Sequence, residues 1–191
     1  RDVVKKNNLN SAYIRPMCFY GSEGMGLRAD NLKVHVMIAA WEWGSYLGDD
    51  NMKNGIRIRK SSYIRHHAHP DLSGAKMNGN YINSIMALKE AQSHGFDEAL
   101  MLDVEGSVSE GSGENIFVIK DEVLYTPHLS SALPGITRDT IFTLAKSLGH
   151  KVVEKKISCE DIYQADEAFF TGTAAEVTPI RDLDGNQIGI G

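Results

Sequence analysis

Stretches in which apolar and polar residues alternate predict most of the β-strands in this chain. The clearest is 12–20, where a period of two places Tyr13, Arg15, Met17 and Phe19 on one face. Pro16 within this stretch indicates an edge strand or a strand end. A mainly apolar run predicts a buried strand at 34–41. Further strands are predicted at 56–59, 98–104, 107–109, 116–119, 123–126, 152–154 and 167–171.

Apolar residues at helical spacing predict two longer helices. The first ends near Gly95, and its apolar positions are Ile82, Ile85, Met86 and Ala91. The second begins with Thr137 as its N-cap and ends at Gly149. Its predicted inner face consists of Ile141, Leu144, Ala145 and Leu148. A shorter helix is predicted at 158–163, where Ser158 is the expected N-cap.

Composition and charge exclude several function classes. The chain has 191 residues, of which 42% are apolar and 24% charged, as in ordinary globular proteins. Its net charge of −5 gives no case for a nucleic-acid or membrane partner. No apolar run reaches the roughly 18 residues of a spanning helix. Cys18 and Cys159 lack metal-ligand spacing, and we expect reduced thiols in a cytoplasmic protein.

Three histidines, His66, His67 and His69, lie close together and raise the question of a metal site. No acidic or thiol ligand lies at helical spacing from them, and Pro70 indicates an extended loop. We therefore predict an ordinary loop here and no metal.

Lys76 is the lysine with the most unusual surroundings. It lies among small residues just before the first long helix, where the helix dipole disfavours its positive charge. A lysine in such a place can lose its proton and act as a nucleophile. The alternative is a lysine in an ordinary loop before a helix.

Three later features complement that lysine. Glu110 opens a glycine-rich loop at 110–115, and the segments at 130–137 and 172–176 are rich in small and hydroxyl residues that can bind a phosphate. A reactive amine, a carboxylate and phosphate-binding segments are the groups that pyridoxal 5'-phosphate requires.

Four segments carry a family resemblance. They are KMNGNY at 76–81, SEGSGEN at 109–115, LPGITR at 133–138 and GTAAE at 172–176. In order and spacing they resemble the class IV pyridoxal-phosphate aminotransferases, and most of all the branched-chain amino acid aminotransferases. The resemblance runs from residue 1 to residue 191.

The resemblance implies an α/β or α+β fold in two domains. Residues 1–48 would be the C-terminal part of a small α/β domain, 49–54 a linker, and 55–191 a larger pseudo-barrel domain that binds the cofactor. We expect further segments before and after this sequence, one of which would supply an arginine to the cofactor phosphate.

The resemblance also assigns roles to the cofactor-binding residues. Lys76 would be the Schiff-base lysine and the catalytic proton shuttle, and Glu110 would pair with the pyridine nitrogen. Tyr81 would bind the phenolic oxygen. Leu133 would line the ring, while Ile136, Thr137 and Thr173 would hold the phosphate. Without the resemblance, the alternatives are that Glu110 caps a turn and that Tyr81 is an aromatic residue of the core.

Substrate binding would fall to a second set of residues. Thr173 and Ala174 would present amides to the α-carboxylate. Arg15 would bind the side-chain carboxylate of glutamate with help from Tyr13, and Trp43 would form part of an apolar wall. The alternatives are that Arg15 pairs with a structural acid and that Trp43 fills the core.

The resemblance thus implies transamination between leucine, isoleucine or valine and 2-oxoglutarate. It also implies a homo-oligomer, a dimer or a trimer of dimers, with only small amino and 2-oxo acids as further partners. A D-amino acid aminotransferase, an aminodeoxychorismate lyase and a non-catalytic fragment are the alternatives, and the segment YIRP at 13–16 favours the branched-chain enzyme.

Overall fold

The computed structural model describes residues 1–44, 48–65 and 74–190. The chain divides into two compact units, Arg1–Tyr46 and Leu47–Gly191. The segment 49–54, predicted as a linker, forms a short helix, α2 (Asp49–Asn54). Within the second unit, the Sδ atom of Met52 in this helix lies 3.4 Å from the hydroxyl oxygen of Thr178. The segment is thus an ordered helix tied to the second unit.

Residues 1–44, the described part of the first unit, contain one helix and two strands. These are α1 (Asp2–Lys6), β1 (Tyr13–Tyr20) and β2 (Val34–Trp41). The strands pair antiparallel, from Tyr13 opposite Trp41 to Tyr20 opposite Val34. The prediction of β2 as a buried strand is wrong, because every residue in it is exposed or only half-buried. A two-stranded sheet offers little surface to cover its own faces, so apolar composition alone did not bury this strand.

In its described residues, the second unit is built on a mixed sheet of nine strands. Its strands are β3 (Ile56–Lys60), β4 (Glu98–Leu102), β5 (Val108–Gly111), β6 (Asn115–Lys120), β7 (Val123–Thr126), β8 (Lys151–Glu154), β9 (Glu167–Gly172), β10 (Glu176–Leu183) and β11 (Asn186–Gln187). They follow the order β5-β4-β3-β10-β9-β6-β7-β8, with β11 paired to β10. β3 is parallel to both of its neighbours, and β7 is parallel to β8.

Besides α2, three α-helices and a 3-10 turn accompany this sheet in the described part of the unit. The turn at Asn78–Asn80 leads into α3 (Tyr81–Ser93), and α4 (Ile136–Ser147) and α5 (Cys159–Tyr163) follow. Ser158 caps α5 as predicted. Among the described residues, no helix has the length and apolar character needed to cross a bilayer.

The apolar positions that marked α3 in the sequence are only partly buried. Ser84, Ala87 and Ala91 are its buried residues, and Ala87 and Ala91 pack with Ala99 and Met101 of β4. Ile82 and Ile85 are 67% and 61% exposed. Small side chains allow the helix to approach the sheet closely, whereas the periodicity alone favoured the larger apolar residues.

The main core lies under the central strands. Ile58, Ile116, Phe170 and Leu183, from β3, β6, β9 and β10, are each fully buried and belong to one cluster. This core holds in place the ends of β5, β6 and β9, where the candidate site residues lie.

Candidate active site

A cavity of about 230 Å³ in the second unit brings together five of the predicted residues. They come from the segment before α3, the start of α4 and the turn after β9, and they are Lys76, Leu133, Ile136, Thr137 and Thr173. Gly113 and Asn115 also line the cavity. An amine, an amide, hydroxyl groups and the start of a helix therefore converge on one small space.

Glu110 lies behind this cavity as a buried acid. It belongs to strand β5 rather than to the loop in which it was expected, and it is 5% exposed. One carboxylate oxygen, Oε1, is 2.5 Å from the Nε atom of Arg65. The other, Oε2, accepts hydrogen bonds from the amide of Leu133 at 2.9 Å and the side chain of Asn115 at 3.2 Å.

The protonation of Glu110 is set by opposing effects. Burial raises the pKa of this carboxyl above its usual value. The charge of Arg65 opposes that rise most strongly, followed by the Leu133 amide, and the charge of Lys76 contributes as well. The surrounding cations and donors thus favour a carboxylate at a place where burial alone would favour the acid.

Helix α4 begins at the cavity with Gly135 as its N-cap. The prediction of Thr137 as N-cap is therefore wrong, because Thr137 is the second residue of the helix. A Cβ atom on Gly135 would lie 2.1 Å from Oδ1 of Asn115, so only glycine permits this approach. The Asn115 side chain also donates to the carbonyl of Leu133 at 2.9 Å, which fixes the segment before the helix.

The turn between β9 and β10 carries Thr173 and Ala174. Thr173 is exposed, and Ala174 is half-buried but does not line the cavity. Glu176, which ends this turn, has a φ of 55°, a strained value for a residue other than glycine. The buried hydroxyl of Thr178 donates to the carbonyl of Ala175 at 2.7 Å and holds the turn closed.

Lys76 and Tyr81 lie together at the start of α3. The Nζ atom of Lys76 is 5.6 Å from the centre of the Tyr81 ring, a cation–π contact, and the lysine side chain is exposed. An exposed amine at the edge of a cavity is accessible to an incoming molecule. The histidines His66, His67 and His69 lie outside the described residues.

Two further buried acids lie near Glu110. Glu98 of β4 and Glu114, between β5 and β6, are 0% and 4% exposed. Burial raises the pKa of Glu98 to about 6, and burial together with the charge of Glu98 raises the pKa of Glu114 well above its usual value. Neither residue was predicted from the sequence to have a role.

The predicted substrate residues of the first unit form a cluster of their own. The Tyr13 ring contacts the Trp43 ring edge-on, with centroids 4.5 Å apart. The Nη2 atom of Arg15 donates to the Tyr13 hydroxyl at 3.3 Å. Trp41, which sequence reasoning missed, completes the cluster with its ring 5.2 Å from that of Tyr13. The alternation in the segment WEW at 41–43 was the signal that could have found it.

Arg65 and Asn115 are the residues of the second unit that sequence reasoning missed. Arg65 follows β3, and its amide donates to the carbonyl of Leu102 at 2.8 Å, which holds the segment along β4. Nothing in the local sequence around Arg65 signals a carboxylate partner. Asn115 ends the segment SEGSGEN and could have been found by asking why a polar side chain begins a buried strand.

Two larger depressions lie elsewhere in the second unit. One of about 510 Å³ is lined chiefly by apolar residues such as Leu124, Ile141 and Phe169. Another of about 640 Å³ lies between Gly55, Pro179 and Ile188. We favour the smaller cavity because an amine and a helix start converge there, as ligand sites require.

The fold of this chain is that of the fold type IV aminotransferases. The chain belongs to the class IV aminotransferase family, because the family model described as Amino-transferase class IV matches residues 1–183. The resemblance seen in the sequence and the fold expected from it are thereby confirmed.

Individual relatives are similar over the whole of this chain. It is 63% identical to the branched-chain-amino-acid aminotransferase of Pseudomonas aeruginosa and spans 62% of that protein. The crystal structure of the Escherichia coli branched-chain amino acid aminotransferase has a TM-score of 0.96 at 50% identity, over 99% of this chain and 63% of that one. The crystal structure of the Thermobaculum terrenum branched-chain amino acid aminotransferase in its PLP form has a TM-score of 0.89 at 33% identity, over 100% of this chain and 62% of that one.

Proposed function

We propose that this protein is a pyridoxal-phosphate-dependent aminotransferase that exchanges an amino group between branched-chain L-amino acids and 2-oxoglutarate. The observation that carries the proposal is the cavity in which Lys76 and the start of α4 converge, backed by the buried Glu110–Arg65 pair. The names of the similar proteins support the choice of substrates.

The residues present fit pyridoxal phosphate. Asn115 approaches Gly135 so closely that a Cβ atom has no room. Among the described residues, no side chain caps the start of α4, so the backbone amides of Ile136 and Thr137 are available there. A helix start of this kind binds phosphate through its free N–H groups and its dipole. The hydroxyl of Thr173 would add a further donor.

Each residue would contribute a defined step to the reaction. When bound, the cofactor supplies an electron sink for negative charge at the substrate α-carbon. Lys76 Nζ would take the proton from that carbon and return it. Glu110 would place its negative charge at the pyridine nitrogen, and Leu133 and Tyr81 would hold the ring and its phenolic oxygen. Thr173 and Ala174 would bind the substrate α-carboxylate.

The first unit would select the substrate. The aromatic cluster of Tyr13, Trp41 and Trp43 offers an apolar wall to branched side chains, and Arg15 offers a positive charge to the side chain of glutamate. We further propose a cytoplasmic homo-oligomer, a dimer or a trimer of dimers. Analytical ultracentrifugation would measure the assembly.

An absorption spectrum of the purified protein tests the cofactor directly. We expect a visible band from bound pyridoxal phosphate that changes when L-glutamate is added, together with transamination of L-leucine and 2-oxoglutarate. Lys76→Ala should lose both the spectral response and the turnover, because the amine that moves the proton is gone. Lys89→Ala, an exposed lysine on α3, is the matched control and should behave as the wild type. Turnover of the Lys76 variant near the wild-type rate would reject the mechanism.

Replacement of Arg15 tests whether this residue recognises glutamate but not leucine. Arg15→Ala should lower kcat/KM for glutamate by roughly tenfold or more, because a hydrogen bond to a charged group contributes about 1.5–3 kcal/mol. The value for leucine should change little. Arg28→Ala, which removes an exposed ion pair with Asp30, is the control. An equal loss for glutamate and leucine would show that Arg15 is structural.

A further inference from the structure

The side chain of Glu90 in helix α3 accepts three hydrogen bonds and has no part in the steps proposed above. Its Oε2 atom accepts from the hydroxyl of Ser61 at 2.6 Å and from the amide of Ser62 at 2.9 Å. Its Oε1 atom accepts from the hydroxyl of Ser62 at 2.6 Å. Hydrogen bonds to a carboxylate are stronger than those between neutral groups. Both oxygens of Glu90 therefore hold two consecutive residues that follow strand β3 against the helix.

The segment 61–65, which these serines begin, lies between α3 and β4. On the strand side, its first and last backbone amides donate to the carbonyls of Leu100 and Leu102, at 2.9 and 2.8 Å. On the helix side, the side-chain amide of Asn83 donates to the carbonyl of Ile64 at 3.0 Å. The segment is thus held near both of its ends, by the strand through backbone groups and by the helix through side chains.

Tyr63 fixes the middle of this segment. Its side chain packs against the buried alanines of α3 and the neighbouring buried residues of β4. Its amide donates to the hydroxyl oxygen of Ser61 at 3.0 Å, and the same hydroxyl donates to Glu90. A change at Glu90 is therefore transmitted to the backbone of the segment and not only to one side chain.

The last residue of the segment is Arg65, which is 8% exposed. Its Nε atom lies 2.5 Å from Oε1 of Glu110. A buried ion pair is favourable only when its geometry is good, so the backbone that carries Arg65 must be held in place. Helix α3 also begins at Tyr81, whose ring centre is 5.6 Å from Nζ of Lys76. One helix is thus in contact with the amine of the cavity and with the segment that pairs with the buried acid.

We propose that Glu90 is a positioning residue that, by holding Ser61 and Ser62 on α3, places Arg65 against Glu110 and keeps the Glu110 carboxylate oriented for the pyridine nitrogen. The link from Glu90 to Arg65 stands on the hydrogen bonds described above, whereas its value for the cofactor rests on the proposed function. A purely structural role would lower the stability of the second unit without a particular effect on Arg65.

Nitrogen-15 NMR of the full-length protein labelled in its arginines tests the link to Arg65. We expect the Nε–H group of Arg65, assigned through its bonds to its own backbone, to exchange slowly with solvent because it is buried in an ion pair. In Glu90→Ala it should exchange at least about tenfold faster, as expected when hydrogen bonds to a charged group are lost. The variant Ser61→Ala/Ser62→Ala should have the same effect, because it removes two of the three donors to that carboxylate.

Two control variants separate positioning from stability. Gln92→Ala changes an exposed residue of the same helix and should leave the Arg65 exchange rate at the wild-type value. Ser158→Ala removes the cap of α5 and should lower stability without changing that rate. Glu90→Gln keeps the shape and one acceptor oxygen, so its rate should lie between those of the wild type and Glu90→Ala. An unchanged rate in Glu90→Ala, or an equal acceleration in Ser158→Ala, would overturn the proposal.

The affinity for pyridoxal phosphate tests the role of Glu90 at the cofactor. Glu90→Ala should bind the cofactor about tenfold more weakly than the wild type. Arg65→Met/Glu90→Ala should bind it as weakly as Arg65→Met alone, because Glu90 acts through Arg65. Losses that multiply in the double variant would show an effect independent of Arg65 and contradict the proposal. A wild-type protein that binds no pyridoxal phosphate would reject the proposed function, while the exchange rate of Arg65 would still decide the link from Glu90.

Discussion

At the scale of single residues, Glu110 shows how a buried carboxylate is stabilised. Its carboxylate is almost fully enclosed, yet Arg65, the Leu133 amide and Asn115 supply one charge and two donors to its two oxygens. Removing one member of such a group leaves the others uncompensated in a medium that solvates charge poorly.

Arg65→Met should therefore destabilise the folded protein by roughly 3–5 kcal/mol, as expected when one partner of a buried ion pair is lost. The pKa of Glu110 should rise further in this variant, because the strongest opposing charge is gone. Urea denaturation at neutral pH measures the loss. The double variant Arg65→Met/Glu110→Gln should recover part of it, and a double variant as unstable as the sum of the two single variants would contradict the coupling.

The residues that sequence predicted for this site were those with a recognisable local pattern. Lys76, Leu133, Ile136, Thr137 and Thr173 meet at one cavity because short motifs specify the turns and the helix start that carry them. Arg65 was missed because its contact with Glu110 depends on the path of the chain after β3 along β4, and no local spacing encodes that path.

At the scale of secondary-structure elements, residue types typical of turns and helix ends predicted the structure better than the periodicity of apolar residues did. An Asp-Gly pair favours a tight hairpin turn, and Asp184 and Gly185 both have positive φ in the turn between β10 and β11. The inner face predicted for α4 is wrong at two residues, because Ala145 is buried but Leu144 and Leu148 are 51% and 73% exposed.

The capping box of α5 supports a prediction with a pH dependence. The hydroxyl of Ser158 accepts from the Asp161 amide at 3.1 Å, and the Asp161 carboxylate accepts from the Ser158 amide at 2.8 Å. The Ser158 hydroxyl, which also donates to this carboxylate, and then the Ser158 amide lower the pKa of Asp161 from 3.8 to about 2. A lowered carboxyl pKa stabilises the fold above pH 3.8, and this contribution is lost as the pH falls towards 2.

Ser158→Ala should accordingly cost about 1 kcal/mol of unfolding free energy at neutral pH. The difference from the wild type should shrink as the pH falls from about 4 towards 2, where Asp161 becomes protonated in both proteins. Urea titrations at the two ends of this range measure it. Ser147→Ala, an exposed serine at the end of α4, is the control and should be neutral. A constant difference at both pH values would exclude the link to Asp161.

At the scale of the whole molecule, stability is concentrated in the sheet of the second unit. The buried cluster under β3, β6, β9 and β10 is continuous, whereas the described residues of the first unit include none that are fully buried. Motifs could predict the family and hence the fold, but the sheet order could not be read from strand patterns, since β3 lies between β4 and β10 through contacts distant in sequence.

Two isoleucine replacements test this distribution of stability. Ile58→Ala removes a fully buried side chain from β3 and should cost about 2–5 kcal/mol. Ile82→Ala, at an exposed position of α3, should change the unfolding free energy by no more than about 0.5 kcal/mol. Chemical denaturation of both variants gives the comparison, and a similar loss in the two would mean that Ile82 is as buried as Ile58.

The parallel pairing of β3 with β10 has a consequence for synthesis on the ribosome. The Lys60 amide donates to the Asp184 carboxylate across 124 positions of sequence, beside the register that joins Ile56 to Ile180. Until β10 has left the exit tunnel, the nascent chain carries β3 with one hydrogen-bonding edge open. Because an open edge of this kind invites association with other chains, we expect the emerging polypeptide to be prone to such association for longer than a protein whose strands pair with their neighbours in sequence.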